Sequence, residues 1–174
     1  MNYTIAAFVR NPYDRAYSGF MQLQRDYADQ HNVAVDPNWI ENLIRTQIAE
    51  NMHRIIASGY DFDNWIYSLP DYEVFEAGRN TNMVLHPCHY WTHVDSVQIV
   101  GFVGKVEQFE RDFQRFCRHV DIEPPAIQLA NVSKIENNEA VEGSKYAGKM
   151  SRRSLDRINY LFAADFEIFG YKML

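Results

Sequence analysis

Three groups of residues in this sequence carry side chains suited to anion binding or proton transfer. The first is Arg10, followed by Asn11-Pro12, with Ser18 eight residues after the arginine. A guanidinium fork, a hydroxyl and the bare amides of a helix start suit one phosphate when they converge. The bland alternative is a strand–turn–helix with a surface arginine. The second group is His86, His89 and His93. Three histidines so close invite a metal reading, but Pro87 interrupts the helix that an i, i+3, i+7 ligand set requires. The other reading makes one of them a general base near neutral pH. His86, His89 and His93 are thus base candidates, and no metal is expected. The third group is Lys105, just after Gly104, and the run Lys145, Lys149, Arg152, Arg153 and Arg157. Lys105 either reaches an anion or is solvated ahead of a helix. The run either closes over a nucleotide or anionic glycan, or is a solvated basic face.

The elements that position these groups follow from local pattern. Ile5 to Val9 is a short apolar run without alternation, which predicts a strand buried on both faces with Arg10 at its end. Asn11 caps and Pro12 starts a helix, with Asp14 in its first turn and Arg15 either packing or pairing with an acid. Ala16, Phe20, Leu23 and Tyr27 give that helix an apolar face to about Ala28. A second amphipathic helix is predicted from Trp39 to Ala57, with His53 beside its stripe as a structural histidine, and Ser58-Gly59 stops it. Phe62 to Leu69 reads as a short helix contributing Trp65, Ile66 and Leu69 to the core. Gln98 to Val103 is predicted as the second buried strand, leading into a helix from Gln108 to Val120. After Glu123-Pro-Pro125 the chain is polar to Ser144. Ser151 caps a last helix running to about Ala164, and the aromatics of the tail to Tyr171 seal the core.

With these residues in view, Phe8-Val-Arg-Asn-Pro-Tyr-Asp-Arg-Ala-Tyr-Ser18 resembles the 3′-phosphate-binding segment of sulfotransferases that use 3′-phosphoadenosine 5′-phosphosulfate (PAPS). His86-Pro-Cys88 and Phe102-Val-Gly-Lys-Val-Glu107 are similar to segments of the chondroitin and HNK-1 type carbohydrate sulfotransferases. Ala164-Asp-Phe-Glu-Ile-Phe-Gly-Tyr171 resembles their C-terminal signature, with Phe162 replacing the usual tyrosine. The resemblance spans Ile5 to Tyr171. It implies an α/β, P-loop-like sulfotransferase fold, in one helix-rich domain around a short parallel sheet. It implies transfer of a sulfuryl group from PAPS to a carbohydrate hydroxyl, leaving adenosine 3′,5′-bisphosphate. Arg10 and Ser18 would bind the 3′-phosphate, with Lys105 and Lys149 as further nucleotide contacts. The family's 5′-phosphosulfate cradle, a Lys with Gly-Thr or Gly-Ser, has no counterpart here, since only nine residues precede Arg10. The expectation is therefore the C-terminal portion of the family domain, or a divergent short form. The alternatives are a non-catalytic nucleotide- or glycan-binding remnant and, last, a relative of the nucleoside-phosphate kinases.

Composition bounds the partners. At 174 residues, with 47% hydrophobic and 14% aromatic residues, the chain can bury the core of one domain. A net charge of -6 gives no general attraction to nucleic acid or anionic membrane, so a phosphate site must be built locally. Cys88 and Cys117 make neither a disulfide framework nor a metal pattern; one disulfide or two reduced thiols both fit. Asn2-Tyr-Thr4 and Asn131-Val-Ser133 fit the glycosylation triplet, which arises easily by chance. The start lacks a secretory pattern, and no run of about 18 apolar residues occurs. The expected location is cytoplasmic as written, or the Golgi lumen for a piece of a longer eukaryotic protein. The expected partners are a nucleotide co-substrate and a carbohydrate, with the oligomeric state left open.

Overall fold

The computed structural model describes residues 3–30, 53–71, 86–126 and 143–174. Strand β1 (Ala6–Val9) passes through Arg10 and Asn11 directly into helix α1 (Pro12–Gln30). Asn11 caps as its type predicts, its Oδ1 accepting the Tyr13 N–H at 3.0 Å, and Pro12 follows where no amide is needed. Helix α2 (Phe62–Ser68) is capped by Asp61, whose side chain accepts the Asn64 N–H. A one-turn helix α3 (His89–Thr92) leads into the hairpin β2 (His93–Val94) and β3 (Val97–Gln98). Strand β4 (Phe102–Lys105) then lies parallel to β1, with Ala6 opposite Phe102 and Val9 opposite Lys105. A 3-10 turn (Val106–Gln108) and α4 (Phe109–His119) follow. After a second 3-10 turn (Ala147–Lys149) come α5 (Arg152–Leu161) and α6 (Ala163–Phe169). This is the expected helix-rich α/β architecture with a short parallel sheet.

Several boundaries differ from the sequence expectation. The second strand begins at Phe102, not Gln98, because Val97-Gln98 folds back on His93-Val94 across a turn with positive φ at Asp95 and Ser96. Strand β1 is half-buried rather than covered on both faces; Phe8 leans against the rings of Phe102 and Phe109, 6.3 and 4.9 Å between centroids. The last helix breaks at Phe162, and the expected tail is itself helical. The Trp39 to Ala57 helix lies outside the described residues except for 53–57, which are helical, and His53 is exposed there rather than packed. Cys88 and Cys117 are both free thiols.

The core is made by α1. Tyr13, Ala16, Phe20 and Leu23 recur at helical spacing and meet Phe62, Trp65, Ile66 and Leu69 on one side and Ile158, Leu161, Phe162 and Phe166 on the other. Burying each large apolar side chain in such a cluster contributes about 1.5–3 kcal/mol. The chain end is anchored to it as well: the Leu174 N–H donates to Tyr13 Oη at 2.8 Å.

One glycine is fixed by the strand pairing. A Cβ on Gly104 would lie 2.6 Å from Phe8 Cε1 and 3.2 Å from Asp112 Cβ, and the Phe8 ring is held in place by its aromatic neighbours. Gly104→Ala is expected to destabilise the chain by about 1–3 kcal/mol through overpacking, read as a lowered denaturant midpoint with an unchanged slope.

Candidate anion site at the strand ends

Parallel strands offer their carboxyl ends as binding edges, and here those ends carry cations. Arg10 follows Val9 at the end of β1, and Lys105, the partner of Val9, ends β4. Arg10 is half-buried, and among the described residues its guanidinium makes no ion pair. Lys105 Nζ stands 4.2 Å from the centroid of the Tyr171 ring, and its amide donates to Asp112 Oδ2 at 2.9 Å.

The helix start beside them is not bare, contrary to the sequence expectation. The Asn11 N–H donates to Glu107 Oε1 at 2.6 Å, and Glu107 Oε2 accepts the Tyr171 hydroxyl at 3.0 Å. With Tyr13 N–H on the Asn11 cap and Pro12 lacking a donor, the first turn has little left for a ligand. Burial, together with the Glu107 charge, pushes the Tyr171 hydroxyl well above its usual range, so it stays a donor. Gly170, in the left-handed region at φ 62°, ends α6 and turns Tyr171 back toward Glu107. An anion at this edge would therefore meet side chains rather than amides.

Asp14 was expected to serve its own helix, but it organises a distant segment. Its buried Oδ1 accepts Ser144 Oγ at 2.6 Å and the amides of Lys145 and Tyr146 at 2.9 and 3.1 Å. Ser18, half-buried, lies one turn along on the same face of α1. Tyr146 stacks on Tyr17 at 4.8 Å, and the ammonium groups of Lys145 and Lys149 stand 5.3 and 6.0 Å from the Tyr146 centroid. Lys149, itself exposed, thus lies near a ring that packs on α1. The arginines that follow are engaged elsewhere. Arg152 pairs with Asp156 at 3.0 Å and Arg157 with Asp71 at 2.6 Å, while Arg153 covers the Tyr67 ring at 3.5 Å.

The histidine segment is tied to α1 by a residue that sequence reasoning missed. Asp165, 1% exposed, accepts Arg15 Nη2 at 2.9 Å, the amides of Cys88 and His89 at 2.7 and 2.9 Å, and His89 Nδ1 at 2.9 Å. Arg15 also donates to the His86 carbonyl and approaches the Cys88 sulfur at 3.2 Å. Burial works against ionisation of Asp165, but the His89 hydrogen bond, the Arg15 charge and the two amides outweigh it, so its pKa lies below the usual carboxylate value. Burial pushes the Cys88 thiol up. His93 stands apart: its Nδ1 is 2.8 Å from Thr92 Oγ1 and its ring meets Phe169 edge-on at 5.9 Å. Together with Lys105 it lines a cleft of about 210 Å³. Among the described residues, no three His, Cys, Asp or Glu side chains are grouped to hold a metal.

The chain is thus an α/β protein with two cations at the carboxyl edge of its parallel sheet and a carboxylate hub behind them. Residues 1–172 match the model of the sulfotransferase family, and the chain belongs to that family. Over 181 aligned residues it is 26% identical to carbohydrate sulfotransferase 10 of Xenopus laevis, covering 94% of this chain and 46% of that protein. It therefore spans about half the length of this curated relative. No solved structure matches it significantly. Among the described residues, no helix is long and apolar enough to cross a membrane.

Replacing Asp165 by Asn leaves Arg15 facing a neutral group, which is expected to cost about 3–5 kcal/mol near neutral pH. Because the folded pKa is depressed, this stabilisation is present above the unfolded value of about 3.9 and is lost as pH falls through the lower folded value. Urea unfolding of both forms over a pH series should show the difference shrinking in acid. Asp63 and Asp112 shift in the same direction, so the difference between wild type and variant isolates Asp165.

Proposed function

We propose that the chain binds PAPS through the 3′-phosphate and serves sulfuryl transfer to a carbohydrate hydroxyl. The observation that carries this reading is Arg10 at the carboxyl end of β1, without an ion pair among the described residues, beside Lys105 on the neighbouring strand. Arg10 and Ser18 hold the 3′-phosphate, the guanidinium supplying a charged fork and the serine a hydroxyl. Lys149 approaches from the segment that Asp14 fixes, and Lys105 faces the transferring group. Membership of the sulfotransferase family supports the donor, and the name of the relative supports a sugar acceptor.

In the transfer, the acceptor oxygen forms a bond to sulfur while the bond from sulfur to the bridging phosphate oxygen breaks. Adenosine 3′,5′-bisphosphate leaves, and the acceptor proton passes to a base. Of the three histidines, His93 suits that role best. His93 borders the cleft with Lys105, whereas the His89 ring is held through Nδ1 on Asp165. The Thr92 hydroxyl has the Cys88 and His89 carbonyls at 3.2 and 3.4 Å as acceptors. With Nδ1 engaged by the Thr92 hydroxyl at 2.8 Å, Nε2 is the ring nitrogen proposed to take the proton. A second reading is nucleotide binding without turnover.

Calorimetric titration of adenosine 3′,5′-bisphosphate tests the binding claim. Micromolar affinity is expected, weakened roughly 10- to 100-fold in Arg10→Ala by loss of a charge-assisted contact, and less in Ser18→Ala. A folded wild type that does not bind, or an Arg10→Ala form that binds equally well, contradicts it. Incubating the chain with PAPS and a glycan panel then separates turnover from binding alone.

A further inference from the structure

The cleft that His93 and Lys105 border has its own chemistry. It measures about 210 Å³, roughly the room of seven liquid-water molecules, which suits one small ring rather than an extended chain. Its walls divide by character. Val9, Val103, Ile168 and Phe169 supply apolar surface, with Phe169 offering an aromatic ring. His93, Gln98 and Lys105 supply the polar side. The Gln98 amide nitrogen is spent on the Val100 carbonyl at 2.8 Å, which leaves its Oε1 as an acceptor. A surface apolar on one side, with an acceptor, an imidazole and an ammonium on the other, complements a pyranose, whose C–H face is apolar and whose hydroxyl edge both donates and accepts.

The place of the cleft matters as much as its lining. Val9 immediately precedes Arg10, and Lys105 is the strand partner of Val9. A molecule in the cleft therefore lies at the carboxyl edge where α/β sheets receive ligands. The larger depression of about 510 Å³ at the start of α4 is lined by the polar side chains of Glu107, Gln108, Glu110, Arg111 and Gln114, with Phe109 as its one aromatic residue. We infer that the cleft between β4, the β2–β3 hairpin and α6 is the subsite for a single acceptor pyranose, its hydroxyl turned toward His93 and Lys105. This rests on the sulfotransferase reading for the sugar's role as acceptor, but its occupancy is tested separately.

Saturation-transfer NMR with methyl galactoside, methyl glucoside, methyl glucuronide and methyl N-acetylgalactosaminide reads the subsite directly. Ile168, 41% exposed at the rim, is replaced by Trp to fill the cleft, and Gln98→Ala removes the acceptor without adding bulk. At least one glycoside should give signal with wild type, be lost in Ile168→Trp and be weakened about fivefold in Gln98→Ala, as for one hydrogen bond. Signal that persists in both variants, or no signal from any glycoside with wild type, overturns the inference. The affinity of the Ile168→Trp form for adenosine 3′,5′-bisphosphate should match wild type. Loss of nucleotide binding by wild type, with the glycoside pattern intact, sinks the nucleotide reading and leaves the subsite standing.

Discussion

A buried carboxylate at position 165 holds this structure in register. Asp165 receives a guanidinium from α1, an imidazole and two amides from the 86–89 segment, and does so at 1% exposure. An unpaired charge at such depth would be untenable, so its donors are obligatory partners. The consequence is geometric: the start of α1, the His86–His89 segment and α6 cannot shift independently. Arg10 lies five residues before Arg15 on the same strand–helix unit, so its position is fixed through this hub.

Two more acids complete the frame around α1. Asp14 fastens the Ser144–Tyr146 backbone, and Glu107 joins the Asn11 amide to the Tyr171 hydroxyl. Each carboxylate is satisfied by donors that would otherwise be bare, in keeping with the affinity of anions for helix starts. An acidic chain can thus leave Arg10 and Lys105 as local positive charge at the sheet edge, because its nearby acids are already engaged. The same economy explains the fate of the basic run: Arg152 and Arg157 pair with aspartates and Arg153 lies on a tyrosine, which leaves Lys145 and Lys149 near the Tyr146 ring that stacks on α1.

What could be read in advance was local. The Asn11 cap, the start at Pro12, the α1 stripe, the short helix after Asp61 and the Ser151 cap each depend on residues within a turn of one another. The strand from Phe102 was misplaced because a short apolar run does not fix its own pairing; register came from Gly104 closing on Phe8, a contact between positions 96 residues apart. The Asp165 hub escaped for the same reason, since Arg15 and Asp165 are separated by 150 positions. The motif resemblance located Arg10, Ser18 and the Asp-Phe-Glu tail, but nothing in periodicity reveals that the tail's acid grips the second arginine. The expectation of open amides failed because Asn11 takes the Tyr13 amide and the acid on the Asn11 amide, Glu107, comes from another strand's end.

Side chains at the strand ends, rather than helix amides, are proposed to hold the nucleotide phosphate. A crystal structure of the chain with adenosine 3′,5′-bisphosphate tests this most directly. The account predicts the 3′-phosphate against the Arg10 guanidinium and the Ser18 hydroxyl, with Glu107 still on the Asn11 N–H. A phosphate seated on the Asn11 amide in place of Glu107, or a nucleotide bound away from Arg10, would contradict it.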